Sequence, residues 1–339
     1  MHARITLTAA AAFAATTMSL EAPMAQTNTP DWVRVAEHAN WAARDSCGEV
    51  VYDGKMWLSG GWFSSNIIGP RDVWSSADGA NWTRATETAG WKHGDLPMTA
   101  TFRNRMWFMG GWYAGRLPEG GASNEVWAST DGAHWDCVTP AAAWSPRIGA
   151  GLVEFEGKLW LLGGLERYFD PQPQHLRSDV WSSADGAMWE QVTPAAPWAG
   201  RAFQGALAFA GKLWIFGGGN YVPTYQGLND VWSSPDGANW TCAAEHAPWH
   251  GRIWFSAVVY RGCMWLLGGW SHEPNQNWND VWYTADGANW KELKTTTIWS
   301  PRHEQSFYVH DDKLWIVGGN AWPLVNDVWS LQLPADWKP

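Results

Sequence analysis

The stretch Val-Trp-Ser-Ser-Ala-Asp-Gly-Ala-Asn-Trp at 73–82 returns with few changes at 126–135, 180–189, 231–240 and 281–290. A worn sixth copy runs from Val328-Trp329-Ser330 to Asp336-Trp337. Each copy follows a Gly-Gly pair (60–61, 110–111, 163–164, 217–218, 268–269, 318–319), and each pair closes a short apolar run with one tryptophan: Trp57, Trp107, Trp160, Trp214, Trp265 or Trp315. Units of about 50 residues cannot bury a core alone and must stack on their neighbours. Six of them override the two domains that 339 residues would otherwise suggest.

The unit from Trp144 to Pro197 reads as four strands. Arg147 to Glu156 has strand spacing, and Gly157 permits a turn. Lys158 to Leu162 is a buried strand, and Gly163-Gly164 opens a long polar loop. Asp179 to Ser182 is the third strand, Asp185-Gly186 turns the chain, and Trp189 to Thr193 is the fourth. The sixth unit stops after its third strand, which leaves a free ladder edge. Asp31 to Ala36 matches the fourth strands elsewhere (compare 81–85) and supplies the missing one. The expected fold is all-β: a six-bladed β-propeller of four-stranded antiparallel blades, closed by an N-terminal strand. Its blades span about 41–90, 91–143, 144–197, 198–248, 249–298, and 299–339 with 31–37.

The Gly-Gly pairs, the basic residue opening strand one and the aromatics of strands two and four resemble kelch repeats over 31–339. The Ser-Ala-Asp-Gly-Ala-Asn-Trp turn at 76–82 also resembles, less specifically, the Asp-box turn of sialidase-type propellers. That turn lies opposite the usual binding face, where its Ser and Asp satisfy local backbone groups.

Residues 1–25 read as a secretory signal: Arg4, an Ala-rich apolar stretch from Ile5 to Leu20, and Pro-Met-Ala at 23–25. The expected protein, residues 26–339, is therefore periplasmic or secreted, and nothing later is apolar enough for membrane insertion. Such a compartment permits disulfides, but Cys137 and Cys242 (blades two and four) and Cys47 and Cys263 (blades one and five) are each separated by a blade, and all four are expected as buried thiols. No metal-binding spacing such as Cys-x-x-Cys appears, so neither metal nor cofactor is expected. A net charge of −10 argues against nucleic-acid partners.

Function is sought where the repeat breaks. Of 31 tryptophans, 25 recur at architectural positions, leaving Trp62, Trp112, Trp254, Trp270, Trp278 and Trp322. Trp62, Trp112 and Trp270 share the position after Gly-Gly, whereas Trp254, Trp278 and Trp322 lack counterparts and are the ligand candidates. An interblade Trp-x-x-Arg motif places Arg44, Arg147, Arg201, Arg252 and Arg302 at the start of strand one. There they either form an anion site (Arg44, Arg201, Arg252, Arg302) or bond blade-end carbonyls. Gly94 replaces the arginine in blade two and is expected to open space beside His93 and Asp95. Asp45, His93, Asp95, Gln204, His303 and Glu304 also break the pattern nearby.

Carboxylates and imidazoles gathered in this way can move protons. Exported bacterial kelch proteins that this chain resembles epimerise or mutarotate sialic acid. That resemblance implies Glu304 or His303 as base, Asp45 or Asp95 as acid, and a small acidic or carbohydrate ligand. Galactose oxidase, a more distant resemblance, requires a Tyr partner for a strand-one Cys. Cys47 lies near the right place, but no Tyr occurs between Trp91 and Trp112, which disfavours a copper radical site. The alternative function is a non-catalytic scaffold that engages a protein partner through loop aromatics such as Tyr168, Phe169, Tyr221 and Tyr225.

Overall fold

The computed structural model describes residues 30–169, 175–222 and 224–339. The expected signal segment, 1–25, lies outside the described residues. Within them, six four-stranded antiparallel sheets make up the propeller, accompanied by two short two-stranded ribbons, and no helix occurs. Among the described residues, no helix is therefore long and apolar enough to cross a membrane.

The first strands of the blades, Gly48–Tyr52, Met98–Phe102, Gly151–Phe155, Gly205–Phe209, Ser256–Tyr260 and Ser306–His310, touch one another in cyclic order and line the central channel. Val33–Ala36 pairs antiparallel with Leu324–Leu331, setting Val33 opposite Ser330 and Arg34 opposite Trp329. The last blade is thus completed by the first strand of the chain, as expected.

Two tryptophan interlocks recur because the repeat recurs. The interblade Trp meets the fourth-strand Trp of its own blade edge to face, as in Trp41–Trp82 at 6.0 Å and Trp144–Trp189 at 6.1 Å. In the sixth blade Trp299 meets Trp32 at 6.0 Å and 87°, so the N-terminal segment reproduces the contact made elsewhere by a contiguous fourth strand. Such edge-on pairs favour the ring quadrupoles and add about 1 kcal/mol beyond buried area. The strand-two Trp of each of blades one to four, and of blade six, packs on the Asp-Gly turn of the following blade. A Cβ on Gly79 would come within 2.3 Å of Trp315, and one on Gly132 within 2.1 Å of Trp57.

The Asp-box turn is structural, as its local chemistry predicts. Ser76 Oγ accepts the Gly79 N–H at 2.8 Å, and Asp78 Oδ1 accepts those of Ala80 and Asn81 at 2.9 and 2.8 Å. These bonds favour the ionised form and hold the Asp78 carboxyl below its ordinary value.

Two expectations shift. In blade three the first strand begins at Gly151 rather than Arg147, because 148–150 leave the sheet to form the channel mouth. The second and third strands run further, Lys158–Leu165 and Leu176–Ser183, because pairing continues past the Gly-Gly bulge. The cysteines are unpaired thiols, but only Cys263 is buried. Cys137 is exposed and Cys242 half-buried, since both lie on outer fourth strands, and Cys47 is half-buried.

Candidate functional site

The linker between each interblade Trp and the strand that follows builds the channel mouth. The residue two after the Trp-x-x-Arg arginine (or Gly94) is Ser46, Leu96, Gly149, Phe203, Trp254 or Glu304. All six adopt positive φ, between 51° and 60°. Bulky side chains such as Trp254 and Phe203 disfavour that region, at a cost of roughly 1–3 kcal/mol each. Backbone hydrogen bonds between neighbouring collar residues hold five of the six there. Ser46 N–H donates to the Glu304 carbonyl, Leu96 to Ser46, Phe203 to Gly149, Trp254 to Phe203, and Glu304 to Trp254. The strained collar aims chemically different side chains at one axis.

One residue earlier stand Asp45, Asp95, Ile148, Ala202, Ile253 and His303. Each bridges to the residue after its Gly-Gly pair, as in Asp45 with Trp62 and His303 with Asn320. Blades six, one and two therefore contribute polar groups, and blades three to five apolar ones. Above the collar lies a cavity of about 220 Å³ lined by Asp45, Ser46, Asp95, His303 and Glu304 on one side and Trp254, Trp270, Tyr168, Phe169 and Tyr221 on the other. At ~30 Å³ per water, it holds on the order of seven waters. Beneath the collar, a separate cavity of about 460 Å³ follows the channel past Cys47, Glu49 and Gln204.

The aromatic wall is continuous. Tyr221 meets Trp254 at 4.8 Å and Tyr168 at 6.3 Å, Trp254 meets Trp270 at 5.6 Å, and Trp254 stacks on His303 at 5.1 Å and 24°. Arg116, at the rim, lies 4.1 Å over the Phe169 ring.

The polar wall is buried and crowded. Asp45 Oδ2 accepts Asn320 Nδ2 at 3.1 Å and Oδ1 accepts Ser46 Oγ at 3.2 Å. His303 Nδ1 is 2.6 Å from Asn277 Oδ1, and His303 Nε2 is 3.6 Å from Glu304 Oε2. Burial pushes the Asp45 carboxyl up to about 7, against the hydrogen bonds from Asn320 and Ser46. Asp95 is raised well above the carboxylate range by burial and then by the charge of Asp45. Glu304 is raised likewise, by burial and then by Asp45 and Asp95. Burial also lowers His303 to about 3, so its imidazole is neutral at neutral pH. Ligand atoms of Asp45, His303 and Glu304 lie within 4.8 Å of one another, a set able to hold a cation. Pattern reading missed it because 258 residues separate Asp45 from His303 in sequence and no short spacing encodes the set.

Of the residues expected to act, Asp45, Asp95, His303, Glu304, Trp254 and Trp322 meet in this cavity. The others do not. Arg44, Arg201, Arg252 and Arg302 form no anion site, because each guanidinium is buried and consumed by its own blade. Arg201, for example, donates from Nη1 and Nη2 to the two Asp230 oxygens at 2.6 and 2.7 Å, from Nη1 to the Gly217 carbonyl and from Nε to the Ala199 carbonyl. Asp72, Asp280 and Asp327 hold Arg44, Arg252 and Arg302 in the same way, as Asp179 holds Arg147. His93 stands outside the cavity, 3.8 Å from Glu125, which takes the place of that aspartate in blade two. Gly94 opens no pocket, since a Cβ there would meet the Pro70 carbonyl at 2.7 Å. Gln204 faces the lower channel and donates to the Leu162 carbonyl. Trp278 stacks on His250 at the blade rim, with Arg252 4.6 Å over its ring. Tyr168 and Tyr221, read as loop anchors for a partner, instead fold inward over the mouth.

Sequence reading also missed Ser46, Arg116, Asn277 and Asn320. Aligning the linkers by their positive-φ position singles out Ser46 at once; no repeat position marks Arg116 or Asn277.

A family model described as the KLHDC2/KLHL20/DRC7 Kelch-repeats domain matches residues 149–337. No curated protein matches the chain. The matched segment covers blades three to six, and the same strand pattern and arginine–aspartate clamp also build blade one.

Proposed function

Because the chain belongs to the kelch-repeat family, we propose that its propeller binds a small polyhydroxylated ligand, a monosaccharide or close analogue, at the loop-bearing mouth of the channel. One observation carries the reading: deep polar groups and inward-folded aromatics share a single cavity. Sugar C–H faces stack on Trp254 and Trp270, while hydroxyl groups bond Asp45, Asp95, Glu304 and His303. An acidic sugar is the less favoured member of this class, because the five repeat arginines are occupied and Arg116 is the one arginine lining the pocket among the described residues. Carboxyls raised by burial, that of Asp45 to about 7, beside a neutral imidazole also suit proton exchange with a bound hydroxyl, which extends the reading to epimerisation or mutarotation. The same proposal takes the protein as exported, periplasmic or secreted, from residues 1–25.

Isothermal titration against neutral hexoses, hexosamines, uronates and sialic acids tests it, with NMR of anomeric and epimeric protons as the turnover readout. Saturable binding weakened at least tenfold by Trp270→Ala supports the reading. Failure of every sugar to bind refutes it.

A second reading rests on Ile67, Ile68 and Trp322. These are 46%, 50% and 55% exposed, on loops of neighbouring blades one and six. They suit a protein partner docked on the same face, as kelch propellers commonly mediate protein interactions. A cross-linking comparison with an Ile67→Ser/Ile68→Ser/Trp322→Ser variant separates it from the first.

A further inference from the structure

We propose that Asp45, His303 and Glu304 bind one divalent first-row transition-metal cation at the floor of the mouth cavity. The tautomer of His303 is fixed by its neighbours. Asn277 Nδ2 donates to the Asn320 carbonyl at 2.8 Å, which fixes the amide so that its Oδ1 faces the imidazole. His303 Nδ1, 2.6 Å from that oxygen, must then carry the proton. Nε2 is left with a lone pair and points into the cavity, where its near neighbour is Glu304 Oε2 at 3.6 Å. That is too long for a hydrogen bond. With Glu304 ionised, as a cation between the two requires, two lone-pair-bearing atoms face each other on side chains more than nine-tenths buried, with no hydrogen bond between them.

Asp45 completes the set from the adjacent blade. All three offer ligand atoms within 4.8 Å of one another, and small side-chain rotations bring such atoms to the ~3.4 Å separations that ~2.1 Å metal–ligand bonds require. The outer shell is already built. Asn277 orients His303 through the ring nitrogen that would not bind metal, and Ser46 Oγ and Asn320 Nδ2 orient Asp45. Two carboxylates balance a divalent charge, while a third, Asp95, lies in the same cavity without a cationic partner. Arg116, the one cationic side chain lining the cavity among the described residues, is engaged over Phe169. One imidazole with carboxylates suits manganese, iron or zinc better than magnesium or calcium, which take oxygen donors alone. The open cavity above provides entry and room for water or a ligand hydroxyl on the metal.

The metal proposal shares the cavity with the sugar reading but does not rest on it, because metal binding is read with no sugar present. Full-length protein stripped with EDTA is titrated with MnCl₂ and ZnCl₂, with MgCl₂ as control. The expected result is one site per chain for Mn²⁺ or Zn²⁺, and at least a 100-fold weaker affinity in Asp45→Asn and Glu304→Gln variants whose apo melting temperatures match or exceed wild type. Asn277→Ala, which frees the imidazole without removing a ligand, should weaken binding about 10–100-fold. Pulsed EPR of the Mn²⁺-loaded wild type should show coupling to one imidazole nitrogen, a readout that survives if a variant fails to fold. Absence of first-row cation binding, binding unchanged in both carboxyl variants, or a Mn²⁺ signal without nitrogen coupling would each overturn the proposal.

Discussion

Replacing Trp32 by alanine tests whether the chain's first strand seals the ring. Trp32 is 2% exposed, packs edge to face on the fully buried Trp299 and belongs to the cluster formed with Leu331, Leu333 and Trp265. Its counterpart in blade one, Trp82, is 4% exposed and packs on Trp41 in the same way. Truncating a buried tryptophan to alanine costs about 3–5 kcal/mol, a large share of the roughly 5–15 kcal/mol that holds a domain folded. A terminal segment that merely frayed would cost almost nothing. Equivalence therefore predicts that Trp32→Ala and Trp82→Ala each lower the melting temperature by roughly 6–10 °C, at about 2 °C per kcal/mol for a chain of this size. The assay is differential scanning calorimetry of both variants at one scan rate, with a double-mutant cycle against Trp299→Ala expected to return about 0.5–1.5 kcal/mol of coupling. A Trp32→Ala protein within 1–2 °C of wild type, beside a strongly destabilised Trp82→Ala protein, would refute the closure argument.

Three further outcomes follow from the clamps, the turn and the acid cluster. Arg201→Met strands Asp230 without its partner and should cost about 3–5 kcal/mol in urea unfolding, whereas Arg201→Met with Asp230→Leu should recover most of that loss. Asp236→Ala removes the acceptor of the Ala238 and Asn239 N–H groups and should cost about 1–2 kcal/mol in the same assay, while leaving metal and sugar binding unchanged. In metal-free protein the Asp45 carboxyl titrates near 7 when folded and near 3.8 when unfolded, so the folded state binds the extra proton between those values. Stability contributed by this group is complete below about pH 4 and is lost as pH rises through 7, by up to about 4 kcal/mol. Asp45→Asn should flatten that slope in melting curves taken from pH 4 to 8, and an unchanged slope would remove Asp45 from the cluster's electrostatics.

The propeller was legible residue by residue because its determinants are local and repeated. The Asp-Gly turn satisfies its own backbone, the Gly-Gly pair takes positive φ in every blade, and Asp31 to Ala36 announces itself by likeness to fourth strands. The arginines show where such reading stops. Their recurrence was visible, but whether they faced a ligand or a carboxylate depended on Asp230 and its equivalents, 25 to 32 residues away, whose own recurrence before each Val-Trp does not say which side chain they meet. The loop aromatics behaved alike: composition marked Tyr168 and Tyr221, but their inward direction comes from contacts with Trp254 and Phe203 on other blades.

Sequence alone thus determined the number of blades, the order of strands and the closing partner, since each follows from short-range patterns multiplied six times. Only the tertiary structure decided that Asp45, Asp95, His303 and Glu304 share one cavity while His93 and Gln204 do not. Convergence on the axis requires the ring to close and the collar to hold its residues at positive φ, and both are properties of the assembled backbone that no single repeat contains.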